Sequence, residues 1–279
     1  MLGFLSVPAC WCVSRVLREL LAVSLLGLAC LGSANAQCVK TVRWYDDAPY
    51  SFKSPDGKVI GLYADIARVA LKGMNCDVRF VEMPWARALH ELQQGRLDIL
   101  PGTLHKPDRE KFAYFTLPIN RSPNVLFVAK RALDNYKLKD LADIVGTGFR
   151  LGAQIGVAYG PGYDALAKTR VFSEQITTVT SRRGAWKMID QGRLDGLIAD
   201  EATALVELQQ MGLSDRVVKT DIVVSVGPAM FALSRASLSQ EFLAEFNRSL
   251  NAMKADGRYK KIFESYVPCL ASATNPGCR

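Results

Sequence analysis

The chain has 279 residues, of which 35 are Lys or Arg and 27 are Asp or Glu, so its formal net charge is +8. A basic surface attracts acidic ligands or an anionic membrane face. Here the basic residues are scattered, with no run of Lys or Arg longer than two and no interleaved aromatic residues, which argues against a nucleic-acid partner.

The N-terminal segment, residues 1–36, has the pattern of a secretory signal peptide. Arg15 and Arg18 precede an apolar stretch at residues 20–31, and the small-residue sequence Ala-Asn-Ala follows at residues 34–36. The apolar stretch is shorter than the roughly 20 residues of a membrane span, and no later stretch is longer. We therefore predict a cleaved, exported protein that is not embedded in the membrane.

Export also affects the expected anchoring and charge. A lipoprotein alternative would attach lipid at Cys30, but the residues before Cys30 suit lipidation poorly, whereas the small-residue site suits signal peptidase. Cleavage leaves 33 basic and 26 acidic residues, a net charge of +7. The remaining 240 or so residues are enough for one large domain or two smaller ones.

After the signal peptide, short apolar runs alternate with segments of helical periodicity, which predicts an α/β fold with mainly parallel sheets. The helix that opens at Pro84 is predicted to turn Trp85, Leu89 and Leu92 inward. In chain order we predict a strand at residues 39–45, a helix at 61–72, a strand at 78–83, the helix opening at Pro84, strands at 99–100, 125–129, 151–155 and 196–199, and helices at 201–210, 237–253 and 258–267.

The sequence Gln-Gly-Arg-Leu-Asp occurs twice, at residues 94–98 and 191–195. In each copy the Gly is suited to end a helix, and the Leu-Asp leads into an apolar run. The repeat predicts the same helix-to-strand unit in two lobes. Because ligands of open α/β sheets gather at the carboxyl ends of strands, residues 102–103 and 200–201 become candidates that face each other across a cleft. Crossovers between the lobes are expected near residues 127–131 and 223–227.

Four cysteines follow the signal peptide, an even number that suggests disulfides in an exported chain. If the first two predicted strands are parallel neighbours, Cys38 and Cys76 lie at the same sheet edge, close enough to bridge. Cys269 and Cys278 would close a loop in the C-terminal tail. A zinc site is the alternative, but the two histidines do not have ligand spacing to a Cys pair, so no metal is predicted.

Seven short motifs occur in an order that closely resembles the family 3 extracytoplasmic solute-binding proteins, the periplasmic receptors of polar amino acid ABC transporters. The resemblance runs from about residue 39 to residue 267. The motifs are Ala-Pro-Tyr-Ser-Phe at 48–52, Asp-Gly-Lys-Val-Ile-Gly-Leu at 56–62, Asp-Ile-Ala at 65–67, Pro-Trp at 84–85, Gln-Gly-Arg-Leu-Asp at 94–98, Pro-Asp-Arg at 107–109 and Lys-Ala-Asp-Gly at 254–257.

The resemblance implies the type II periplasmic-binding-protein fold, with two α/β lobes joined by a hinge of two crossover strands. Lobe one is built from both ends of the mature chain and lobe two from its middle. The predicted boundaries are 37–128 and 225–267 for lobe one, 129–224 for lobe two, and 268–279 for a C-terminal tail.

The resemblance also implies the two charged residues of a ligand site. Arg109 stands where the family has the arginine that binds the ligand's α-carboxylate, a role that suits the planar guanidinium fork. Its alternative is a surface arginine that pairs with Asp108 or caps a helix. Asp200 matches the acidic residue that holds the α-ammonium. Its alternative is an N-cap for the following helix, and one side chain can do both.

Other site residues are predicted with a structural alternative beside each. Trp85 matches an aromatic residue that stacks on the ligand side chain, although it could be part of the core. Gly156 stands where lobe two offers backbone N–H groups to a carboxylate, although it could be an ordinary turn glycine. Asp47 is near a position where the family often has an aromatic residue, so it either selects a cationic ligand or binds water. Tyr50 belongs to the first motif.

The chain also departs from the family pattern. Leu104, His105 and Lys106 replace the usual hydroxyl residues before the Pro-Asp-Arg motif, and Val157 and Ala158 replace those after Gly156. These changes remove side-chain donors for a carboxylate. Thr103, Tyr159 and backbone amides are the predicted substitutes.

We predict a periplasmic receptor, monomeric and without a cofactor or catalytic residues, that closes on a small polar, amino-acid-like ligand and delivers it to an ABC transporter permease. One alternative is a cyclohexadienyl dehydratase-like enzyme, in which Glu201, Asp200 or His105 would be the acid. Another is a ligand-sensing subunit for a membrane kinase. No nucleophile elbow, phosphate loop or metal motif is present in the sequence.

Overall fold

The structure is a computed structural model, and it describes residues 37–266 together with Gly3. The predicted signal peptide, apart from Gly3, and the predicted Cys269–Cys278 bridge lie outside the described residues. Across that described part, no helix is long and apolar enough to cross a membrane.

The secondary structure alternates strands and helices as the apolar periodicity predicts. The strands are β1 Cys38–Trp44, β2 Phe52–Lys53, β3 Val59–Ile60, β4 Cys76–Glu82, β5 Ile99–Leu104, β6 Ala113–Phe115, β7 Asn120–Ala129, β8 Leu151–Gln154, β9 Ile176–Val179, β10 Gly196–Asp200 and β11 Val217–Ser234. The helices are α1 Leu62–Lys72, α2 Trp85–Gln93, α3 Pro161–Ala167, α4 Arg170–Ser173, α5 Arg182–Asp190, α6 Glu201–Gln210, α7 Gln240–Ala255 and α8 Arg258–Tyr266.

The main sheet runs in the order β4-β1-β5-β11-β7-β10-β8-β9, with β6 paired to β11. Within each half the neighbours are parallel: β1 pairs with β4 and β5, and β8 pairs with β9 and β10. The long strands β7 and β11 lie between the halves and pair antiparallel with each other. The predicted architecture of two α/β lobes joined by two crossover strands is therefore confirmed.

Each lobe has its own apolar core. Lobe one contains β1 to β6 with α1, α2, α7 and α8, and its core includes the fully buried Phe231 and Phe246. Lobe two contains β8 to β10 with α3 to α6, and Phe127 and Trp186 are fully buried there. The residue boundaries of the lobes stay a prediction. Because residues 124–128 of β7 pair with β10, the pairing favours a first crossing just before residue 124.

The disulfide between Cys38 and Cys76 is present, as the strand arrangement predicts. The two cysteines are direct partners in the parallel register of β1 and β4, and their Cα atoms are 4.5 Å apart. The first residues of the two edge-most strands of lobe one are thus covalently joined.

The two copies of Gln-Gly-Arg-Leu-Asp end their helices in the same way. Gly95 follows α2 with φ +73°, and Gly192 follows α5 with φ +71°, a left-handed conformation that glycine adopts without a Cβ penalty. The leucines of the two copies, Leu97 and Leu194, are fully buried.

The aspartates of the repeat hold the neighbouring strand. Asp98 accepts hydrogen bonds from the backbone N–H and hydroxyl of Thr41, at 2.8 and 2.7 Å. Asp195 accepts from the backbone N–H and Nε of Arg150, at 3.0 and 2.8 Å. The repeat is therefore a structural unit that sets one strand beside the next in each lobe.

Several strand boundaries differ from the predicted ones: β7 begins at Asn120 and not at residue 125, and β4 begins at Cys76 and not at residue 78. The strand β5 was expected at residues 99–100 but continues through Pro101 to Leu104. Gly102 and Thr103 therefore lie within the strand and do not follow its end. The strand β10 ends at Asp200, one residue later than predicted, and Glu201 begins α6.

Candidate functional site

A cavity of about 120 Å³ lies between the lobes, beside the crossover strands. The last residues of β5 and β10 line it, together with Ser122 and Asn124 of β7, so it lies where the carboxyl ends of strands from both lobes meet. Its charged lining residues are Arg43, Asp47, Arg109, Arg182 and Asp200, and its aromatic lining residues are Tyr50, Tyr63, Trp85 and Tyr159.

Arg109 reaches the cavity from lobe one. It lies in the 3-10 helix Pro107–Lys111, whose fixed proline at the start holds the turn after β5. Its Nη1 donates to the carbonyl of Leu104 at 2.8 Å, and its Nη2 donates to the carbonyl of Gly156 at 2.7 Å. Burial lowers the pKa of Arg109, while the nearby Asp164 acts in the opposite direction. The guanidinium is thus desolvated and held in place by backbone oxygens.

Asp200 reaches the same cavity from lobe two. Its carboxylate caps α6 by accepting from the N–H of Thr203 at 3.0 Å, so the predicted N-cap exists. It also accepts from the hydroxyl of Tyr50 at 3.4 Å across the cleft. Burial raises the pKa of Asp200 above its ordinary value of 3.8, although a hydrogen bond from Ser122 opposes this shift. Capping and cavity lining therefore occur together.

Aromatic rings form one wall of the cavity. Tyr50 stacks on Tyr63, with ring centroids 4.6 Å apart and 9° between the planes. The hydroxyl of Tyr63 donates to Asn120 Oδ1 at 2.8 Å. Burial raises the pKa of Tyr50 and of Tyr159, so both hydroxyls stay neutral donors. The hydroxyl of Tyr159 accepts from the N–H of Gln154 at 2.8 Å and is 3.3 Å from the carbonyl of Ile198.

Gly156 is a point of contact between the lobes. Its carbonyl accepts from Nε1 of Trp85 at 3.0 Å as well as from Arg109. Gly156 has φ +78°, and a Cβ added there would approach Cδ1 of Leu89 to 2.9 Å. Trp85 and Leu89 are only partly buried, because this face of α2 points toward lobe two. Trp85 and Leu89 nevertheless pack against the apolar cluster of lobe one that contains the fully buried Leu92, as predicted.

Ion pairs at the edge of the cleft also join the lobes. Lys106 lies 3.1 Å from Asp164, and Arg183 lies 3.0 Å from Asp46. Together with the contacts at Gly156, these pairs define a closed arrangement of the two lobes.

A buried chain of charges crosses the cleft at Asp47. Its Oδ2 accepts from Arg43 of lobe one at 2.5 Å, and its Oδ1 accepts from Arg182 of lobe two at 2.5 Å. Arg182 also donates to Glu207 at 3.0 Å and lies 3.4 Å from Oε1 of Gln154. We call Arg43, Asp47, Arg182 and Glu207 the cleft ion chain.

The cleft ion chain keeps Asp47 and Arg182 charged. Burial alone would raise the pKa of Asp47, but the charges of Arg43 and Arg182 outweigh it and hold the pKa at about 2. Burial likewise opposes the charge of Arg182, and the attraction of Glu207 and Asp47 raises its pKa nevertheless. Both oxygens of Asp47 accept hydrogen bonds from arginines, partners that the sequence did not predict.

Residues 41–268 match the sequence pattern of the bacterial extracellular solute-binding proteins, family 3. The chain belongs to this family. The L-arginine-binding protein of Pseudomonas aeruginosa is 24% identical over 268 residues, with 90% of this chain and 96% of the relative covered. ABC transporter arginine-binding protein 1 of Escherichia coli is 23% identical, with 90% and 100% covered.

Solved structures show the same fold. An ancestral amino acid-binding protein, described as a precursor of cyclohexadienyl dehydratase, superimposes with a TM-score of 0.65 at 27% identity, over 82% of this chain and 95% of that one. The two-lobed arrangement of this family 3 protein is the type II periplasmic-binding-protein fold.

Four residues that the sequence suggested for the site of this family 3 protein do not line the cavity: Thr103, His105, Gly156 and Glu201. Thr103 is fully buried, and its hydroxyl donates to the carbonyl of Leu100 at 3.0 Å. His105 lies 2.6 Å from Glu110 on an exposed surface. Glu201 pairs with Lys219 at 2.6 Å, also on the surface. Of the three acids considered for an enzyme, only Asp200 borders the cavity.

The departures from the family pattern have visible consequences. Leu104, Val157 and Ala158 line the cavity with apolar side chains, and Lys106 is used in the ion pair at the cleft edge. Gly156 presents its carbonyl to lobe one, whereas its N–H was the predicted contact. Arg109 is thus the charged donor at this end of the cavity.

Arg43 and Arg182 of the cleft ion chain were not predicted from the sequence, and neither was the neighbouring Arg183. Arg182 and Arg183 open α5, although cations are unfavourable at a helix N-terminus. Two arginines in that position indicate acidic tertiary partners, and this signal could have drawn attention to them. Their partners Asp47 and Asp46 lie far away in the sequence, so no local pattern identifies them.

Proposed function

We propose that this protein is a periplasmic solute-binding receptor that captures a small polar, amino-acid-like ligand by closing its lobes. The observation that carries the proposal is the pair of opposite charges, Arg109 from lobe one and Asp200 from lobe two, that line one cavity. A molecule with both a carboxylate and an ammonium can bridge them. Because it contacts both lobes at once, its binding favours the closed state.

Within this proposal the predicted site residues have the following roles. Arg109 binds the α-carboxylate. Its guanidinium has five N–H donors, and because two of them are used on backbone carbonyls, the others remain for the ligand. Asp200 accepts from the α-ammonium, and the ring of Trp85 covers the ligand side chain. Tyr50 and Tyr159 shape the cavity wall, and Gly156 fixes the closed position of the lobes.

We further propose that the protein is exported by residues 1–36, acts as a monomer in the periplasm and delivers its ligand to an ABC transporter permease. The signal-peptide pattern supports export. Family membership and the description of the Escherichia coli relative as part of an ABC transporter support delivery.

The test begins with native mass spectrometry of freshly purified protein, which identifies any ligand carried through purification. Calorimetry then compares that ligand on wild type and on Arg109→Ala. Truncating one partner of a buried, hydrogen-bonded charge pair costs about 2–5 kcal/mol, which corresponds to roughly thirtyfold or more in Kd. Arg109→Lys should recover only part of the loss, because an ammonium keeps the charge without the fork.

Arg87→Ala is the matched control, because Arg87 is exposed on α2 and makes only a long 3.9 Å contact with Glu91. Its affinity should equal that of wild type. If Arg109→Ala and Asp200→Asn both bind within about twofold of wild type, on the scale of tenfold per 1.4 kcal/mol, the two-charge site is wrong.

A dehydratase is the second candidate, because a carboxyl with a raised pKa beside a cavity could act as a general acid. Incubation with prephenate or arogenate, followed by product absorbance, separates the two functions. A receptor raises its Tm with the ligand and returns the ligand unchanged. Turnover that is lost in Asp200→Asn would favour the enzyme.

A further inference from the structure

We infer that the cavity selects amino acids whose side chain carries no positive charge, and that Arg182 of the cleft ion chain enforces this selection. The inference rests on the proposed function, because it assigns a class of ligand to the same cavity.

The first step concerns the acidic groups that a cationic side chain would need. Asp47 is the acidic lining residue other than Asp200, and both of its oxygens already accept from Arg43 and Arg182. Glu207, behind Arg182, accepts from Arg182 and also from Nε1 of Trp186 at 2.6 Å. A guanidinium or ammonium entering the cavity would find the charges of both carboxylates already compensated by arginines.

The second step concerns the charge balance of the lining. Arg43, Arg109 and Arg182 face Asp47 and Asp200. Once the ligand's carboxylate is at Arg109 and its ammonium at Asp200, the charges that remain are Arg43, Arg182 and Asp47, together with Glu207 behind Arg182. These four charges balance one another and are poorly hydrated, because Arg43 is 7% exposed and the side chain of Arg182 is 15% exposed. A positive ligand side chain would therefore be desolvated beside two arginines with no unpaired carboxylate to stabilise it, whereas an uncharged side chain needs no such partner.

The third step concerns the acidic residues at the cleft edge. Asp46 is paired with Arg183, and Asp164 is paired with Lys106, both across the cleft. In this arrangement of the lobes the two carboxylates that could otherwise attract a cation are already paired. Gln154, which lines the cavity beside Arg182, adds a neutral amide.

The test is a binding panel of the twenty amino acids with citrulline and ornithine, measured at pH 7 by calorimetry on the full mature protein. Citrulline and arginine are the decisive pair, because they have the same shape and differ by one charge. We expect the tightest ligand to be uncharged or acidic in its side chain. We expect citrulline to bind at least tenfold more tightly than arginine, and glutamine more tightly than ornithine.

Arg182→Gln tests the residue that enforces the selection. Loss of this guanidinium frees one oxygen of Asp47 and both oxygens of Glu207 from their bonds to Arg182, so the preference for citrulline over arginine should narrow by tenfold or more. Arg87→Gln is the control, because Arg87 is exposed, lies 3.9 Å from Glu91 and does not line the cavity. Its preference should be that of wild type.

The outcomes separate the two proposals. If arginine, lysine or ornithine is among the tightest ligands, the selection is wrong while the receptor function stands. If no amino acid of any charge binds, the receptor function is wrong and the selection falls with it. If Arg182→Gln folds and its preference does not change, Arg182 is not the selecting residue. If that variant does not fold, the citrulline and arginine pair on wild type decides.

Discussion

Asp47→Asn removes the carboxylate that joins Arg43 of lobe one to Arg182 of lobe two. Arg43 and Arg182 hold the pKa of Asp47 at about 2, against an ordinary value of 3.8. At 1.36 kcal/mol per pKa unit, this difference corresponds to about 2 kcal/mol of stability at neutral pH. We therefore expect Asp47→Asn to lower the free energy of unfolding by about this amount.

This expected loss in the free energy of unfolding, about 2 kcal/mol, is smaller than the 3–5 kcal/mol typical of a broken buried ion pair. The arginines explain the difference, because Arg182 keeps Glu207 and Arg43 keeps a 3.1 Å bond to the carbonyl of Met83. Urea unfolding followed by circular dichroism at pH 7 measures the change. Asp56→Asn is the control, since Asp56 is exposed and pairs with Lys58 at 2.8 Å, and it should unfold like wild type.

The pH dependence gives the sharper test. A carboxyl with a lowered pKa contributes its stability fully above its ordinary pKa and loses it as the pH falls through the folded-state pKa. The difference between wild type and Asp47→Asn should thus stay constant from pH 7 to about 4 and shrink toward about pH 2. Equal stability of the two proteins at pH 7 would refute this account of Asp47.

Two further predictions concern the disulfide and Asp200. The Cys38–Cys76 bridge closes a loop with a sequence separation of 38 residues, for which the chain-entropy relation gives about 4 kcal/mol. Cys38→Ala/Cys76→Ala should lose about that much in urea unfolding, and a loss below about 1 kcal/mol would contradict it. Because Asp200 must be ionised to hold an ammonium, ligand affinity should fall with decreasing pH while the pH is still above 3.8. Calorimetry at several pH values should show this trend in wild type and a flat response in Asp200→Asn; the same trend in both would assign it to another group.

Local patterns predicted a large part of the fold. The repeated Gln-Gly-Arg-Leu-Asp located two helix ends and two buried strands, because the left-handed glycine and the buried leucine are set by local sequence. The disulfide was predicted because Cys38 and Cys76 each stand near the start of a predicted strand, and the two strands were expected to be parallel neighbours. The end of β5 was missed because Pro101 interrupts the apolar run, although the strand continues to Leu104.

The sequence predicted a residue of the site only where a local motif or the end of a strand marks that residue. Arg109 and Asp200 were found because a motif and a strand end mark them, and the structure brings both to one cavity. The contact between Asp47 and Arg182 spans 135 residues of sequence and depends on lobe closure, so no periodicity reveals it. Thr103 was predicted to contact the ligand, but its buried hydroxyl donates to the carbonyl of Leu100. This burial depends on tertiary packing, which the local sequence does not reveal.

The central claim is that one small molecule is held by its carboxylate at Arg109 and by its ammonium at Asp200. Calorimetry of the wild-type protein with its tightest amino acid, and with the methyl ester and the N-acetyl derivative of that amino acid, tests it most directly. The account predicts that each derivative binds roughly thirtyfold or more weakly, because each leaves one buried charge without its partner. Binding of both derivatives within about twofold of the parent amino acid would contradict it, because that difference is well under the 1.4 kcal/mol of a tenfold change.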